Sequence, residues 1–531
     1  MSEQKRQAAG PQTPSVFVRE ATGLVKNVSF FDSIAMNMSN MSVGALLGVI
    51  GISGLVPMFF SGADMSGVNL VLLSVIAFVV SFPQIAVYTI MSRRMPRTGG
   101  DYVWVSRVFG GPAGSILSFM GYTTETTAYL ALIVLSTVFA VGSVGLFFTF
   151  NSALFGLAVP SNVTGAIPWA QFLVGAVIFA ALIGVNIIRP KAGYRLVSVL
   201  TIFGFFALIL AMAVLLSAGS SGVQNFINNG YMAVNGTNTY HVISSGYPGG
   251  FFNFGNTLFL LPLMAAFVYP WLNAAPAVAS EIKGKSALRW NVPISAILVF
   301  VFVTGSLGVM YLVAGQAFTN GAYANPNLVY NYSFNFWTLA MGVSGNNIVA
   351  GLIGIGWILA NVSVLAYGVI VISRYLLAQS FDRFLPSRIS NVHPRFGSPV
   401  TALVISLVLT IVLVGLASFY YSGMSSLFGA IIASMIYFMF VGLAAAVWGL
   451  RKESGMSKAI LVAAGIINFF VFGFLSYQFL ANPGVWSLNS LTYTFVILTT
   501  ISGAVIYFAS KAYHKRRGVD ISLAYKEIPP E

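Results

Sequence analysis

One acidic residue lies inside an apolar stretch long enough to cross a membrane. Glu125 stands in the segment GYTTETTAYLA, and Tyr122 and Tyr129 lie three and four residues away, on the same helix face. No Lys or Arg lies at the centre of an apolar stretch to pair with it. Because burial disfavours a lone charge, we expect a hydrogen-bonded carboxyl group. It would relay protons, attract a cationic substrate group, or serve as a protonated structural acid.

Two apolar stretches contain residues that interrupt a helix. In SIAMNMSNMSVGALLG, at 33–48, the polar residues are Asn37, Ser39, Asn40 and Ser42. Such side chains compete for backbone hydrogen bonds and weaken a helix. The second stretch, FVYPWLNAAPAVASEIKGK at 267–285, contains Pro270 and Pro276. Proline removes a backbone donor and clashes with the preceding turn.

The two interruptions indicate a substrate site rather than chance. Irregular backbone at membrane depth persists only where protein buries it or where it lines a cavity. Broken helices at corresponding positions of two halves are typical of a transporter's binding site. Either break alone is equally consistent with a proline kink or with small-residue packing.

The composition is that of a membrane protein with several spans. Of 531 residues, 57% are hydrophobic and 7% are charged, against about 25% charged residues in soluble domains. The chain has no Cys and only three scattered His residues, and it has no phosphate-binding loop. We therefore expect no cofactor, no metal site and no nucleotide hydrolysis. No nucleophile–base pair lies within the spans, so we do not expect an enzyme.

Twelve stretches are long and apolar enough to cross a membrane. They run roughly over 33–60, 68–92, 112–142, 169–188, 197–217, 254–279, 292–315, 346–379, 399–418, 425–450, 457–480 and 491–511. All 26 Lys and Arg residues fall in alternate loops and the two tails. Basic loops stay in the cytoplasm, so both termini are predicted to be cytoplasmic. Because the basic residues follow this membrane pattern, the net charge of +14 does not indicate that the protein binds nucleic acid.

The spans divide into two halves of five and two additional C-terminal spans. The predicted segments are a cytoplasmic tail at 1–30, spans one to five at 31–218, an extracellular loop at 219–253, spans six to ten at 254–450, spans eleven and twelve at 451–513, and a cytoplasmic tail at 514–531.

Four stretches resemble the amino acid–polyamine–organocation superfamily of transporters. FPQIAVYTIMSRRMPRTGGDYVWVSRVFG, at 82–110, resembles its second span and the following P-x-x-G-G-x-Y loop. NIIRPKAGYR, at 186–195, resembles the loop between spans four and five. The stretch at 267–285 resembles span six with its terminal acid, here Glu281. SRYLLAQSFDRFLPSRISNVHPRFGSPVTAL, at 373–403, resembles the exit of span eight.

The resemblance implies an all-α, five-plus-five inverted-repeat fold with two extra helices and alternating access. It also implies that the substrate carboxylate binds amides of the span-one break and that its ammonium group binds carbonyls of the span-six break. Carried over, the substrate-binding residues are Ser39, Asn40, Met41, Ser42, Val43, Gly44, Phe267, Val268, Tyr269, Pro270, Trp271 and Asn273. The family's Gly-Ser-Gly-like run is absent here, and the nearest glycine is Gly44. Asn273 either lines the pocket or caps the half-helix.

The coupling ion is left open between a proton and sodium. Asn361 and Ser363 of span eight are expected to face span one, where some members of this fold hold sodium. Other members replace that sodium with a lysine of span five, but here span five offers Ser198 and Thr201. The ion-coupling candidates are therefore Glu125, Ser363, Asn361 and Thr201.

We expect a plasma-membrane amino acid permease that is a proton-coupled symporter. Its expected partners are an amino acid, H+ or Na+, and the lipid bilayer. Small or hydrophobic amino acids are favoured over cationic ones, because only one buried acid lies among neutral and aromatic residues. The alternatives are a polyamine or organocation transporter, an exchanger, and a sensor that keeps the fold without transport.

Overall fold

The structure is a computed structural model that describes residues 24–49, 66–149, 152–158, 167–229, 238–247, 250–324, 334–420 and 426–528. Within these residues, ten helices are long and apolar enough to cross a membrane. They are span two (Leu70–Arg94), three (Gly111–Thr149), four (Pro168–Ile188), five (Pro190–Asn229), seven (Lys285–Ala314), eight (Asn347–Phe381), nine (Val400–Phe419), ten (Ser426–Lys452), eleven (Gly455–Ala481) and twelve (Ser490–Lys515).

Spans one and six are broken, as predicted. Span one consists of Phe30–Asn40 and Val43–Val49. Span six consists of Phe254–Phe259, Leu261–Ala265 and Ala274–Ala277. With the ten long helices, these make the twelve predicted spans, although the predicted end of span one lies outside the described residues.

Several helix ends differ from the predicted ones. Span five continues to Asn229 instead of 217, with a kink at Gly219, whose φ is 62°. Span three continues to Thr149 instead of 142. Shorter helices lie between the spans, at Asp101–Phe109, Ser152–Ala158, Thr239–Ser245, Gln316–Ala324 and Phe336–Val343. Single turns follow at Ala279–Glu281, Ser387–Ser390 and Ile521–Tyr525.

Span one begins with a capping box. The Ser29 hydroxyl accepts the amide of Asp32, and the Asp32 carboxylate accepts the amide of Ser29 at 3.1 Å. Two free amides of the first helical turn are satisfied in this way. Ser29 and Asp32 together therefore cap the start of span one.

Corresponding spans of the two halves pack against each other. Span one contacts span six, two contacts seven, three contacts eight and four contacts nine. Two halves arranged around a common axis are expected to bring such pairs together. Span three lies at the centre of the molecule, where 78% of the residues in its most apolar 18-residue stretch are buried. Span twelve lies at the periphery, where the corresponding share is 17%.

Loops that carry the Lys and Arg residues meet on one side of the molecule, which we call the basic face. Arg94, the last residue of span two, contacts Glu453 of the loop after span ten at 2.6 Å. Arg107, before span three, contacts Asp382 after span eight at 2.5 Å. The turn at Ile521–Tyr525 joins them, because the Tyr525 hydroxyl is 3.0 Å from that of Ser115 and Arg107 Nε donates to the Glu527 carbonyl at 3.1 Å.

Candidate functional site

The break in span one falls at Met41 and Ser42. The first helix ends when the Met41 amide bonds back to the Asn37 carbonyl at 3.1 Å. Ser42 then adopts a φ of 53°, which is rare for a residue other than glycine. Its hydroxyl is hydrogen-bonded to that of Tyr129 in span three. The break therefore forms without the glycines that are usual at this position.

The break in span six spans 266–273 and leaves some carbonyls free. Gln84 of span two donates to the Pro270 carbonyl at 2.9 Å, and the Trp271 indole donates to the Ala266 carbonyl at 3.1 Å. The carbonyls of Tyr269 and Trp271 accept no hydrogen bond from any residue that the structure describes. Free carbonyl oxygens attract a cation, so this backbone is chemically suited to an ammonium group.

Asn40 joins both breaks to span eight. Its side-chain Nδ2 donates to Asn273 Oδ1 at 2.9 Å, and its side-chain Oδ1 accepts the Tyr367 hydroxyl. Asn273 directly precedes the short helix Ala274–Ala277, at the N-cap position, but its side chain does not cap that helix. Asn37 supplies a cap instead, since its Oδ1 accepts the Ala275 amide at 2.9 Å.

Aromatic rings cover the span-six break. The Trp271 ring stacks on Tyr129 with centroids 5.2 Å apart and planes at 11°. Phe267 packs against Phe428 of span ten at 4.8 Å. Tyr269 turns away, and its hydroxyl lies 2.6 Å from that of Ser74 in span two.

The remaining break residues are buried and serve packing. Met41, Val43 and Val268 are at most 3% exposed. A Cβ on Gly44 would lie 2.3 Å from that of Ala360 in span eight, so only glycine allows these spans to approach so closely. The structure thus places Gly44 at a helix crossing.

Three hydroxyl groups meet between spans one, five and eight. Ser39 Oγ lies 2.8 Å from Thr201 Oγ1 and donates to Ser363 Oγ at 3.0 Å. These residues line a cavity of about 20 Å³, which is room for one water molecule. Asn361 does not join them, because it accepts from Ser136 of span three at 3.2 Å, and Ser198 donates to Asp32 at 2.5 Å.

Glu125 is buried directly after a π-helical turn, Phe119–Thr124. The Ser434 hydroxyl of span ten donates to the Gly121 carbonyl at 2.8 Å, and Oε2 of Glu125 has no hydrogen-bond partner among the described residues. The predicted helix face is altered by the π turn, and within the described residues neither Tyr122 nor Tyr129 hydrogen-bonds to Glu125. The Tyr122 ring instead packs against that of Tyr375, with centroids 3.9 Å apart and planes tilted by 30°.

A second buried acid, Asp101, was missed by sequence reasoning. Its carboxylate accepts the hydroxyls of Tyr88, Tyr375 and Tyr437, which belong to spans two, eight and ten. Burial raises the pKa of Asp101, while the three phenol donors act in the opposite direction. The stretch GGDYVW was noted for its glycines, but a loop acid gives no sequence signal that it is buried.

Ion pairs and backbone bonds close the basic face beneath the break. Arg374 of span eight donates to Glu281 at 2.7 Å, and Tyr194 of span five donates to the same carboxylate at 2.7 Å. The Val28 amide donates to the Glu281 carbonyl at 3.0 Å, and the Gly99 amide donates to the Ala277 carbonyl at 2.9 Å. The end of span six is thereby tied to the N-terminal segment, the loop after span two, and spans five and eight.

Comparison with known proteins gives two matches. The model of a family described as amino acid permease matches residues 28–504. A protein of Sulfolobus islandicus rod-shaped virus 1, named "Uncharacterized protein 399", is 21% identical over 500 residues. That alignment covers 93% of this chain and 97% of the viral protein. Both matches include the two breaks.

Proposed function

This chain belongs to the amino acid permease family and is a multi-pass membrane transporter of amino acids, and from that premise we propose that it works by alternating access, driven by a proton gradient. The observation that carries the proposal is the pairing of the two breaks through Asn40 and Asn273. The two breaks are the points at which spans one and six would bend. Such a rearrangement would open the site to one side of the membrane and close it to the other.

The backbone around the breaks favours a zwitterion. The amides of Val43, Gly44 and Ala45 donate to no described acceptor, as is usual at the start of a helix, where a carboxylate is favoured. The free carbonyls of Tyr269 and Trp271 favour an ammonium group. The side chains of other spans that bond to the breaks, Gln84, Tyr129 and Tyr367, are neutral, so we propose small or hydrophobic amino acids as substrates rather than polyamines.

Glu125 is the proposed proton carrier. It is buried in span three, and one of its oxygens has no partner, so a proton can be taken up or released there without breaking an ion pair. If Glu125 is instead a purely structural acid, it would be equally buried, but replacing it would not change the coupling of transport to the proton gradient.

The test is uptake of radiolabelled amino acids into proteoliposomes under an imposed pH gradient. We expect the wild type to accumulate substrate, and Glu125→Gln to bind and exchange it without accumulation. The matched control is Glu453→Gln, which removes an acid of the basic face and is expected to accumulate normally. Unchanged accumulation by Glu125→Gln would reject the proton role, and binding without any flux would indicate a sensor.

Sodium coupling is the second candidate, favoured by the three hydroxyls around a water-sized cavity. Oxygen ligands at a broken helix are typical of sodium sites in transporters. In that case a sodium gradient would drive accumulation in the same vesicles. Ser363→Ala would abolish it, whereas Glu125→Gln would not.

A further inference from the structure

A cavity lined by described residues opens on the basic face, away from the breaks. It measures about 720 Å³, within the range of about 300–1,000 Å³ that is usual for ligand pockets. Its walls are the segment before span one, the start of span five and the loop after span eight. We propose that it binds the headgroup of an anionic phospholipid, with an acyl chain lying along span five.

The charge of the cavity fits a phosphate diester. Arg189, Lys191 and Arg195 line it, are exposed, and have no acidic partner within the described part of the chain. The inner wall adds Arg374 and Glu281, which neutralise each other. Three positive charges remain, and basic pockets between spanning helices are typical sites for anionic headgroups.

The apolar part of the wall distinguishes a lipid from a soluble phosphate ester. Ile188 and Val199 line the cavity and are 60% and 62% exposed. From Val199, the exposed residues Ile202, Phe206 and Ile209 follow at spacings of three, four and three, which places them on one face of span five. A continuous apolar track therefore leads from the headgroup cavity along the helix.

A second basic cavity provides an internal comparison. It measures about 540 Å³ and is lined by Arg93, Arg94, Lys285 and Arg289. Arg94 is paired with Glu453, and the wall contains Trp290, which is 44% exposed, beside Ile90 and Leu288, which are mostly covered. It has a charge similar to that of the first cavity, but the Arg289 guanidinium lies over the Trp290 ring, 5.1 Å from its centroid, so a basic group and the exposed apolar residue of this wall already contact each other.

The inner wall connects the proposed lipid to the closed basic face. Tyr194, Glu281 and Arg374 form that wall and also hold the end of span six. A headgroup bound there contacts the same elements that must separate if this face opens. We therefore expect the lipid to stabilise the closed arrangement.

The experiment is thermal unfolding of the full chain in detergent with added phosphatidylglycerol or phosphatidylcholine. We expect phosphatidylglycerol alone to raise the Tm, by about 3–5 °C. The triple variant Arg189→Gln, Lys191→Gln, Arg195→Gln should lose this shift. The matched control Arg93→Gln, Lys285→Gln, Arg289→Gln removes the same charge from the second cavity and should retain it.

Other outcomes would overturn the proposal. An undiminished shift in the first triple variant, or an equal loss in both, would indicate general electrostatic attraction. A shift produced by glycerol 3-phosphate at the same concentration would assign the cavity to a soluble ligand, and loss of the shift on deleting residues 2–23 would assign the effect to that segment. If the triple variant does not fold, Arg195→Gln alone should weaken lipid retention in native mass spectrometry at least threefold, and unchanged retention would contradict the proposal.

Discussion

Asp101 and Glu125 are both buried acids without a cation partner in the described structure, but their surroundings differ. Asp101 receives three phenol hydroxyls from three spans, whereas Glu125 has one oxygen with no partner. Hydrogen bonds to a charged group are stronger than neutral ones. Asp101 is therefore suited to hold spans two, eight and ten together, and Glu125 is suited to change its protonation.

We expect Asp101→Asn to lower the stability of the folded protein. Asn offers one acceptor oxygen, so its amide nitrogen would face the Tyr88 hydroxyl that now donates to Asp101 Oδ2. A buried donor without an acceptor costs about 1–3 kcal/mol. The measurement is the Tm of the purified variant in detergent.

The double variant Asp101→Asn, Tyr88→Phe is the control for this prediction. Since it removes the stranded hydroxyl, it should be at least as stable as Asp101→Asn alone. A double variant whose Tm falls by the sum of the two single losses would mean that Tyr88 and Asp101 are not coupled.

At the residue scale, the polar residues of the two breaks could be identified from the sequence, whereas the residues that bond to them could not. Ser39, Asn40 and Asn273 were found because polar residues are conspicuous in apolar spans. Gln84 and Tyr367, which bond to Pro270 and Asn40, lie on other spans, and their roles depend on which helix faces meet. That information is absent from local spacing.

At the scale of the element, the break in span one contains a serine with a strained backbone conformation. A positive φ costs a residue with a Cβ about 1–2 kcal/mol relative to glycine. Ser42 has such a φ of 53°, and its hydroxyl is also bonded to Tyr129. The hydrogen bond offsets part of this strain.

Comparison of Ser42→Gly with Ser42→Ala separates the two effects. Both variants lose the hydroxyl, but only glycine relieves the strained backbone. We expect the glycine variant to be the more stable by ~1 kcal/mol, seen as a higher Tm in thermal unfolding. Equal Tm values would argue that the backbone at this position relaxes freely.

The two helix breaks were predictable as elements, and the π turn before Glu125 was not. Prolines and clustered Asn and Ser residues indicate a helix break from the local sequence alone. The π turn lies against span ten, where a Cβ on Gly121 would be 2.3 Å from that of Tyr437. It arises from the close fit of two helices that are distant in sequence, which no local pattern encodes.

At the scale of the whole molecule, the orientation in the membrane stays a prediction, with the basic face in the cytoplasm of the plasma membrane. The chain has no Cys, so single introduced cysteines report on it without background. Ser245→Cys, exposed on the opposite face, should react with an impermeant maleimide in intact cells. Asn391→Cys, exposed on the basic face, should react only after permeabilisation, and the reverse result would invert the topology.

The contact between Arg107 and Glu527 also has a consequence for biosynthesis. The two residues are 420 positions apart. At about 5–20 residues per second, a ribosome needs roughly 20–80 s to travel between them. Span three thus enters the membrane long before the segment that finally covers its base is made. During this time Arg107 lacks its contact with the Glu527 carbonyl. Premature termination anywhere in the last spans would leave the base of span three uncovered, so that quality-control proteases could recognise it.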